Sequence, residues 1–277
     1  MTTTLFKYHG CGNDFICLDC RDQSYDLQKL AQIVCRRGFH IGADGVIGLY
    51  ASDDADFKMV IVNSDGSIPQ MCGNGIRCFA AFILDQQLAS GNLSIETDAG
   101  ILSVQVLFDD GLRLFRVGMG QAKVKDALPQ SDFNLPVDSS HYSYHLNGQT
   151  FLFFPVSLGN PHAVIFVDDV DAVSLQDVGP VAESHPFFPN RVNTEFVEII
   201  DDHHIKMRVW ERGVGETNAC GTGACASVVA GIMNAQLSTP VTVHLTGGDL
   251  LIEFNASNNQ VFMNGPAEFV FSTAIDV

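Results

Sequence analysis

Two cysteines of this chain share one local pattern, because Cys72 and Cys220 each begin a Cys-Gly-x-Gly segment. A strongly apolar stretch follows each segment and predicts a buried helix there. The N-terminus of a helix presents unpaired backbone N–H groups and a partial positive charge, which together can hold an anion. A thiol at that point gains thiolate character from the same field. Each segment therefore combines a potential base with a receptor for a carboxylate.

Two such thiols suit the inversion of a carbon stereocentre, which needs a base on one face and an acid on the other. A thiol has an unperturbed pKa of about 8.5, so one can be ionised while its partner stays protonated. The α-proton of an amino acid becomes removable when preorganised donors hold the carboxylate and water is excluded. The alternative is that both cysteines are small core residues.

This scheme needs no electron-sink cofactor, and the sequence lacks the patterns of common cofactor sites. No Walker A loop is present, and the glycines of Gly10–Phe15 lack the setting of a dinucleotide fingerprint. Cys17 and Cys20 form a C-x-x-C pattern, but on a predicted strand they point to opposite faces. We therefore expect neither a cofactor nor a metal.

The elements that position the two cysteines are repeated along the chain, which predicts an internal duplication. Short β-branched runs such as Phe57–Val62 and Phe196–Ile200 predict strands. Helices are predicted from Asn74 to about Leu88 and from Thr222 to about Gln236, apolar on every side and so buried, with their N-termini at the domain surface. The fold class is α/β (α+β), with two pseudosymmetric domains of strands around a central helix, residues 1–120 and 121–262. The matched positions are Asn13 and Asn160, Cys72 and Cys220, Gly100 and Gly248, and Gly120 and Gly265.

Composition sets the limits on function. The 277 residues are 46% hydrophobic and 17% charged, and the formal charge is 15 − 32 = −17, which disfavours nucleic acid and anionic membranes as partners. The first residues lack a basic region followed by an apolar stretch, and no apolar run of about 18 residues is present. We therefore expect a soluble cytoplasmic protein that acts on a small molecule, with its eight cysteines reduced.

Motifs similar to those of one enzyme family run almost from end to end of the chain. They are Phe6–Phe15, Arg37–Gly45, Asn63–Ser67, Met71–Cys78, Gly159–Ala163, Arg191–Phe196, Val209–Thr217 and Ala219–Cys225. At these residues the sequence resembles the diaminopimelate epimerases. This resemblance implies conversion of L,L-diaminopimelate to the meso form, on the route to lysine and peptidoglycan. It also implies a homodimer and a last strand, about residues 263–277, that returns to the first domain.

The resemblance also implies roles for individual residues. Cys72 and Cys220 become the acid–base pair, and backbone N–H groups of both Cys-Gly-x-Gly segments hold the reacting carboxylate. For each asparagine the alternative is a turn or cap residue, and for Glu211 with Arg212 it is a surface ion pair. The residues implied to bind substrate, including its distal end, are Asn13, Asn63, Gly73, Asn74, Asn160, Asn193, Glu211, Arg212, Gly221 and Thr222.

Several positions leave alternatives open. His162 matches a family position near the site, as a second general base or as a residue that orients substrate or packs. Gly45 and Ile68–Pro69 depart from residues that family members often carry, which affects substrate contacts rather than the chemistry. Related folds include proline racemases, hydroxyproline epimerases and phenazine-pathway isomerases, and a non-catalytic binding protein could use the same carboxylate receptor.

Overall fold

The structure is a computed structural model that describes residues 2–69, 72–109, 111–136, 142–146 and 148–276. The chain divides into two compact units. Unit 1 is Met1–Gly118 together with Asn264–Val277, and unit 2 is Met119–Met263. No helix in the described ranges is long and apolar enough to span a membrane.

Unit 1 is a strand-rich unit whose described residues include two helices. Its elements are β1 Thr2–Gly10, β2 Asn13–Asp19, α1 Leu27–Val34, β3 Gly45–Tyr50, β4 Phe57–Asn63, α2 Gly73–Asp85, β5 Leu93–Thr97, β6 Gly100–Asp109, β7 Leu112–Gln121, whose last three residues belong to unit 2, and β18 Glu268–Asp276. Neighbouring strands pair in the order β18-β1-β2-β3-β4-β5-β6-β7, and all these pairs are antiparallel except β2–β3 and β4–β5. Each parallel pair is joined through a helix, as parallel strands require a crossover.

Unit 2 repeats this arrangement. Its elements are β8 Lys123–Val124, β9 Tyr142–Leu146, β10 Gln149–Ser157, β11 Pro161–Phe166, α3 Leu175–Glu183, β12 Asn193–Asp201, β13 His204–Glu211, β14 Gly215–Thr217, α4 Gly221–Met233, β15 Val241–Leu245, β16 Gly248–Asn255 and β17 Gln260–Pro266, whose last three residues belong to unit 1, with a short 3₁₀ turn at Lys125–Ala127. β10 pairs antiparallel with β8, β9 and β11. The parallel pairs are β11–β12 and β13–β15, again with a helix between the partners.

Strand register shows how closely the two units match. Val46 lies opposite Val62 in unit 1, and Thr194 lies opposite Trp210 in unit 2, each 148 positions further along. Helices α2 and α4 each contain 13 residues and begin after Cys72 and Cys220 respectively. The predicted fold class is confirmed, since each unit contains a central helix whose first 11 residues are buried.

Both central helices end about three residues before the predicted points. The chain leaves the helical conformation at Gln87 and Ala235, which share a φ of 57° in the left-handed region. Neither residue is a glycine, so the sequence carries no sign of the left-handed termination that usually marks a helix end.

Candidate active site

Cys72 caps the N-terminus of α2 with its own sulfur. Its backbone is extended, with φ −142° and ψ 99°, and Sγ accepts a hydrogen bond from the Gly75 N–H at 3.2 Å. A Cβ on Gly75 would lie 2.8 Å from Ile61 Cδ1, so the second glycine of the motif lets the turn close. A backbone N–H aimed at the sulfur favours the ionised thiolate.

Two predicted substrate residues lie beside this thiol. Asn13 Oδ1 is 3.9 Å from Cys72 Sγ and accepts a hydrogen bond from Asn74 Nδ2 at 3.2 Å. Asn74 Oδ1 in turn accepts from Arg77 Nη2 at 2.9 Å. The structure therefore brings Cys72, Asn13 and Asn74 into one hydrogen-bonded cluster.

Other predicted positions of unit 1 have local partners. Asn63 Nδ2 donates to Ser67 Oγ at 3.0 Å, and the Gly73 carbonyl accepts from Arg77 Nη1 at 3.2 Å. At Gly45, a Cβ would lie 2.6 Å from the Val62 carbonyl oxygen, so this backbone excludes a larger residue there. Any substrate contact made by a longer side chain at this position is thus absent from this chain.

Cys220 repeats the geometry of Cys72 in unit 2. Its backbone has φ −121° and ψ 108°, and Sγ accepts from the Gly223 N–H at 3.4 Å. Thr222 Oγ1 lies 3.6 Å from the same sulfur. A Cβ on Gly223 would lie 2.7 Å from Glu195 Oε1, which places a carboxylate directly under this turn.

The charges around Cys220 oppose its ionisation. Burial raises the pKa of the Cys220 thiol above its usual range, and the carboxylates of Glu211 and Glu195 raise it further. Hydrogen bonds from Thr222 and the Gly223 N–H lower the pKa but do not outweigh these effects. The Gly223 N–H at the helix N-terminus thus acts on the Cys220 pKa in the predicted direction, while burial and the two carboxylates decide the overall direction.

Glu211 is part of the same cluster. Burial raises the pKa of this carboxyl above its ordinary value, and Glu195 adds to the increase. Hydrogen bonds with Thr217 and Cys220 partly offset it, and Thr217 Oγ1 donates to Glu211 Oε1 at 2.5 Å. Glu211 is thus a hydrogen-bonded neighbour of the Cys220 thiol.

His162 is fully buried and is held from both ring nitrogens. Nδ1 lies 2.7 Å from Glu195 Oε1, and Nε2 lies 3.0 Å from Asn160 Oδ1. Asn160 Nδ2 donates to Thr222 Oγ1 at 3.2 Å. His162 therefore reaches the region of Cys220 through Asn160 and Thr222, which supports the orienting role among the alternatives.

Asn193 and Arg212 form a second part of the site in unit 2. The buried Asn193 side chain donates to the Pro161 carbonyl at 3.0 Å and accepts from the Arg212 backbone N–H at 3.0 Å. Arg212 Nη1 donates to the Asn190 carbonyl at 3.3 Å. Asn193 thus ties the segment that carries Arg212 to strand β11.

The N-termini of the two central helices differ from the prediction. They were expected at the domain surface, but Asn74 is only 3% exposed and Thr222 only 4%. Residues of the same unit contact both positions: Asn13, at the start of β2, bonds to Asn74, and Asn160, between β10 and β11, bonds to Thr222. The predicted core positions of Cys78 and Cys225 are confirmed, since both are fully buried.

Sequence reasoning missed several charged residues that organise these clusters. Each had a visible signal, namely a charge within an apolar or glycine-rich motif. Arg77 interrupts the apolar face of α2, Glu195 interrupts a strand, and Asp44 precedes Gly45. Glu183 ends α3 and accepts hydrogen bonds from Gly213 N–H and Trp210 Nε1, both at 2.8 Å.

Comparison with known proteins identifies the family. The sequence model of the diaminopimelate epimerases matches residues 5–125 and 154–270. The chain is 47% identical to a diaminopimelate epimerase of Desulfitobacterium hafniense, over 96% of each chain. This chain belongs to the diaminopimelate epimerase family. A second family member, from Moorella thermoacetica, is 46% identical over 96% of each chain.

A solved structure agrees with this family fold. A phenazine biosynthesis protein of the PhzF family from Bacillus anthracis matches with a TM-score of 0.72 and covers 100% of both chains. At 17% sequence identity this likeness concerns the fold alone. The sequence is therefore specific to the epimerase family, whereas the fold is also found in another protein family.

Proposed function

We propose that this protein interconverts L,L- and meso-diaminopimelate, with Cys72 and Cys220 as the acid–base pair. One observation carries the proposal: both thiols cap equivalent 13-residue helices, and each sulfur accepts a backbone N–H from the second glycine of its motif. A structural cysteine needs no such partner, whereas a sulfur that alternates between thiol and thiolate does.

The proposed reaction transfers protons only. One thiolate takes the α-proton from one face of the substrate, and the opposite thiol delivers a proton to the other face. The α-carboxylate accepts charge during this step, and the backbone N–H groups of Gly73, Asn74, Gly221 and Thr222, at the N-termini of α2 and α4, would stabilise it. After one turnover the two cysteines have exchanged protonation states. Because the scheme consists of proton transfers between these thiols and the substrate, it requires no cofactor or metal.

Substrate recognition is proposed to use polar groups from both units. Arg212 suits the distal carboxylate because a guanidinium binds carboxylates in a bidentate geometry. Glu211 and the amide oxygens of Asn13 and Asn160 suit ammonium groups. Asn63 and Asn193 complete the set, and His162 orients Asn160 through the contact of 3.0 Å.

We propose further that each chain contains two copies of a duplicated domain, with residues 1–120 and 263–277 in one copy and residues 121–262 in the other. We also propose that the protein is cytoplasmic and that two chains form a homodimer. Support for a dimer comes from β18, where Phe269, Val270 and Phe271 are 50%, 47% and 40% exposed at the register shift in its pairing with β1. Exposed apolar side chains grouped in this way suit contact with a second copy of the chain. Sedimentation of the wild type and of a Phe271→Glu variant tests this point.

The activity is tested by incubating reduced protein with L,L-diaminopimelate, L-proline and trans-4-hydroxy-L-proline in parallel and separating the stereoisomers. The proposal predicts meso-diaminopimelate alone, with no cofactor added. Isomerisation of a proline substrate with no turnover of diaminopimelate would contradict the proposed specificity. Activity that survives Cys72→Ser would instead contradict the proposed chemistry.

A further inference from the structure

The groups behind Cys72 give a role to a side chain outside the predicted site. We propose that Asp44 is a positioning residue: its carboxylate holds Asn13 so that the amide oxygen, and not the amide NH₂, faces the Cys72 thiol. This inference rests on the proposed function of Cys72. It assigns Asp44 no contact with substrate.

The contact between Asp44 and Asn13 fixes the amide by chemistry as well as by distance. Asn13 Nδ2 donates to Asp44 Oδ2 at 2.6 Å. An ionised carboxylate only accepts hydrogen bonds, so the NH₂ end of the amide must point toward it. The oxygen end then points away from Asp44, where it lies 3.9 Å from Cys72 Sγ.

A second contact sets the same orientation from the other side. Asn74 Nδ2 donates to Asn13 Oδ1 at 3.2 Å. Asn74 cannot reverse, because its own oxygen accepts from Arg77 Nη2 at 2.9 Å and a guanidinium only donates. The series Arg77, Asn74, Asn13 and Asp44 therefore has one direction of donation throughout.

Asp44 is itself held in place. The Asp14 backbone N–H donates to Asp44 Oδ2 at 3.0 Å, and Arg37 Nη2 donates to Asp44 Oδ1 at 2.8 Å. The Asp44 N–H donates to the Asp14 carbonyl at 2.9 Å, just before β2 and β3 pair in parallel at Phe15 and Gly45. The carboxylate is thus fixed by the start of this strand pair.

The outcome is that Cys72 has a suitable partner in each protonation state. The Asn13 oxygen can accept from the thiol S–H, and the Gly75 N–H at 3.2 Å can donate to the thiolate. A residue that alternately takes and delivers a proton needs both partners. The charged and titratable groups packed around this series are Lys7, Cys11, Asp14, Cys35, Arg37 and Cys78.

The test separates orientation from charge by comparing two variants of Asp44. Asp44→Asn keeps an oxygen that accepts from Asn13 and from the Asp14 N–H, whereas Asp44→Ala removes the acceptor. Iodoacetamide labelling of Cys72 in the ligand-free protein, read by peptide-resolved mass spectrometry, reports the thiol without any need for turnover. Asp14→Asn is the matched control, because it removes a charge from the same Arg37 cluster without touching the Asn13 side chain.

We expect Asp44→Ala to label Cys72 several-fold faster at pH 7 than the wild type, about the effect of one lost hydrogen bond. Asp44→Asn and Asp14→Asn should both label at close to the wild-type rate. Equal acceleration in Asp44→Asn and Asp44→Ala would mean that Asp44 acts by its charge alone, which overturns the proposal. An unchanged rate in Asp44→Ala overturns it as well.

A double-mutant cycle checks that the effect passes through Asn13. Asn13→Ala should itself accelerate labelling, and adding Asp44→Ala should change the rate no further. Additive effects would contradict the proposal. If Asp44→Ala does not fold, Asn13→Ala alone must reproduce the acceleration, and its failure to do so is equally decisive. If the wild type has no epimerase activity, the proposed function is contradicted, but the labelling result for Asp44 and Asn13 still stands on its own.

Discussion

Asn13 and Asn160 occupy matching places in the two units, yet their amides face opposite ways. Asn13 turns its oxygen toward the second residue of α2 and accepts from Asn74. Asn160 turns its NH₂ toward the second residue of α4 and donates to Thr222. The duplicated backbone thus keeps two equivalent thiol positions while their surroundings differ. Two thiols in different surroundings can rest in different protonation states, which an acid–base pair requires.

Glu183 should control substrate affinity more than turnover. Its two carboxylate oxygens accept separately from Trp210 Nε1 and the Gly213 N–H, which flank the proposed substrate residues Glu211 and Arg212. Glu183→Gln places an NH₂ group against one of these donors, so we expect KM for diaminopimelate to rise about tenfold with a smaller change in kcat. Asp177→Asn, an exposed acid on the same helix, is the control. Equal loss in kcat and unchanged KM would contradict this role.

Glu211 should slow the ionisation of Cys220. Because this carboxylate raises the pKa of the Cys220 thiol, Glu211→Gln should lower that pKa and accelerate alkylation of Cys220 several-fold at neutral pH. Epimerase activity should fall in the same variant. The comparison is Glu216→Gln, whose carboxylate pairs with Arg208 instead. Unchanged labelling of Cys220 in Glu211→Gln would show that the two groups do not interact.

Asp14 should contribute stability that is lost in acid. Burial would raise the pKa of this carboxyl, but hydrogen bonds from Arg37 and Lys7 outweigh burial and hold the pKa below its ordinary value. A carboxyl with a lowered folded-state pKa stabilises the fold above the unfolded pKa of about 4 and loses that contribution as the pH falls through the folded-state pKa. Asp14→Asn should therefore cost about 1–2 kcal/mol at pH 7 and less at pH 3. Urea unfolding at both pH values measures this, and a constant difference would refute it.

The proposed pair of facing thiols should be sensitive to oxidation. Mild oxidation of the ligand-free protein should inactivate it and produce a Cys72–Cys220 disulfide, visible by non-reducing peptide mass spectrometry. Reduction should restore activity. Inactivation without this linkage would mean that oxidation acts elsewhere in the protein.

Much of the fold could be predicted because its signals are local and occur twice. The apolar residues on every side of α2 and α4 indicated buried helices, and the offset of 148 positions recurs in strand register. The helix ends could not be predicted, since Gln87 and Ala235 adopt the left-handed conformation without being glycine. Backbone hydrogen bonds from the Leu88 N–H to the Ile83 carbonyl at 3.0 Å and from the Gln236 N–H to the Gly231 carbonyl at 2.9 Å close both helix ends in that conformation.

Candidate site residues could be predicted where residue type and motif coincide, as at Cys72 and Cys220, and their roles stay predictions. The residues that orient it depend on distant strand pairing. His162 and Glu195 meet because β11 and β12 pair in parallel with His162 opposite Asn193, which leaves Glu195 two residues along on the same face. Asp44 reaches Asn13 through the similar pairing of β2 with β3. The sequence separation of these residues predicts neither the contact of His162 with Glu195 nor that of Asp44 with Asn13.

The central claim is that two cysteines invert one α-carbon by proton transfer without a cofactor. Proton NMR of L,L-diaminopimelate in D₂O under reducing conditions tests it most directly, with wild type, Cys72→Ser and Cys220→Ser compared. The account predicts loss of one α-proton signal as the meso isomer appears, and a rate at least about 100-fold lower in both variants. Exchange and isomerisation that persist in either serine variant, or a wild type that does neither, would contradict it.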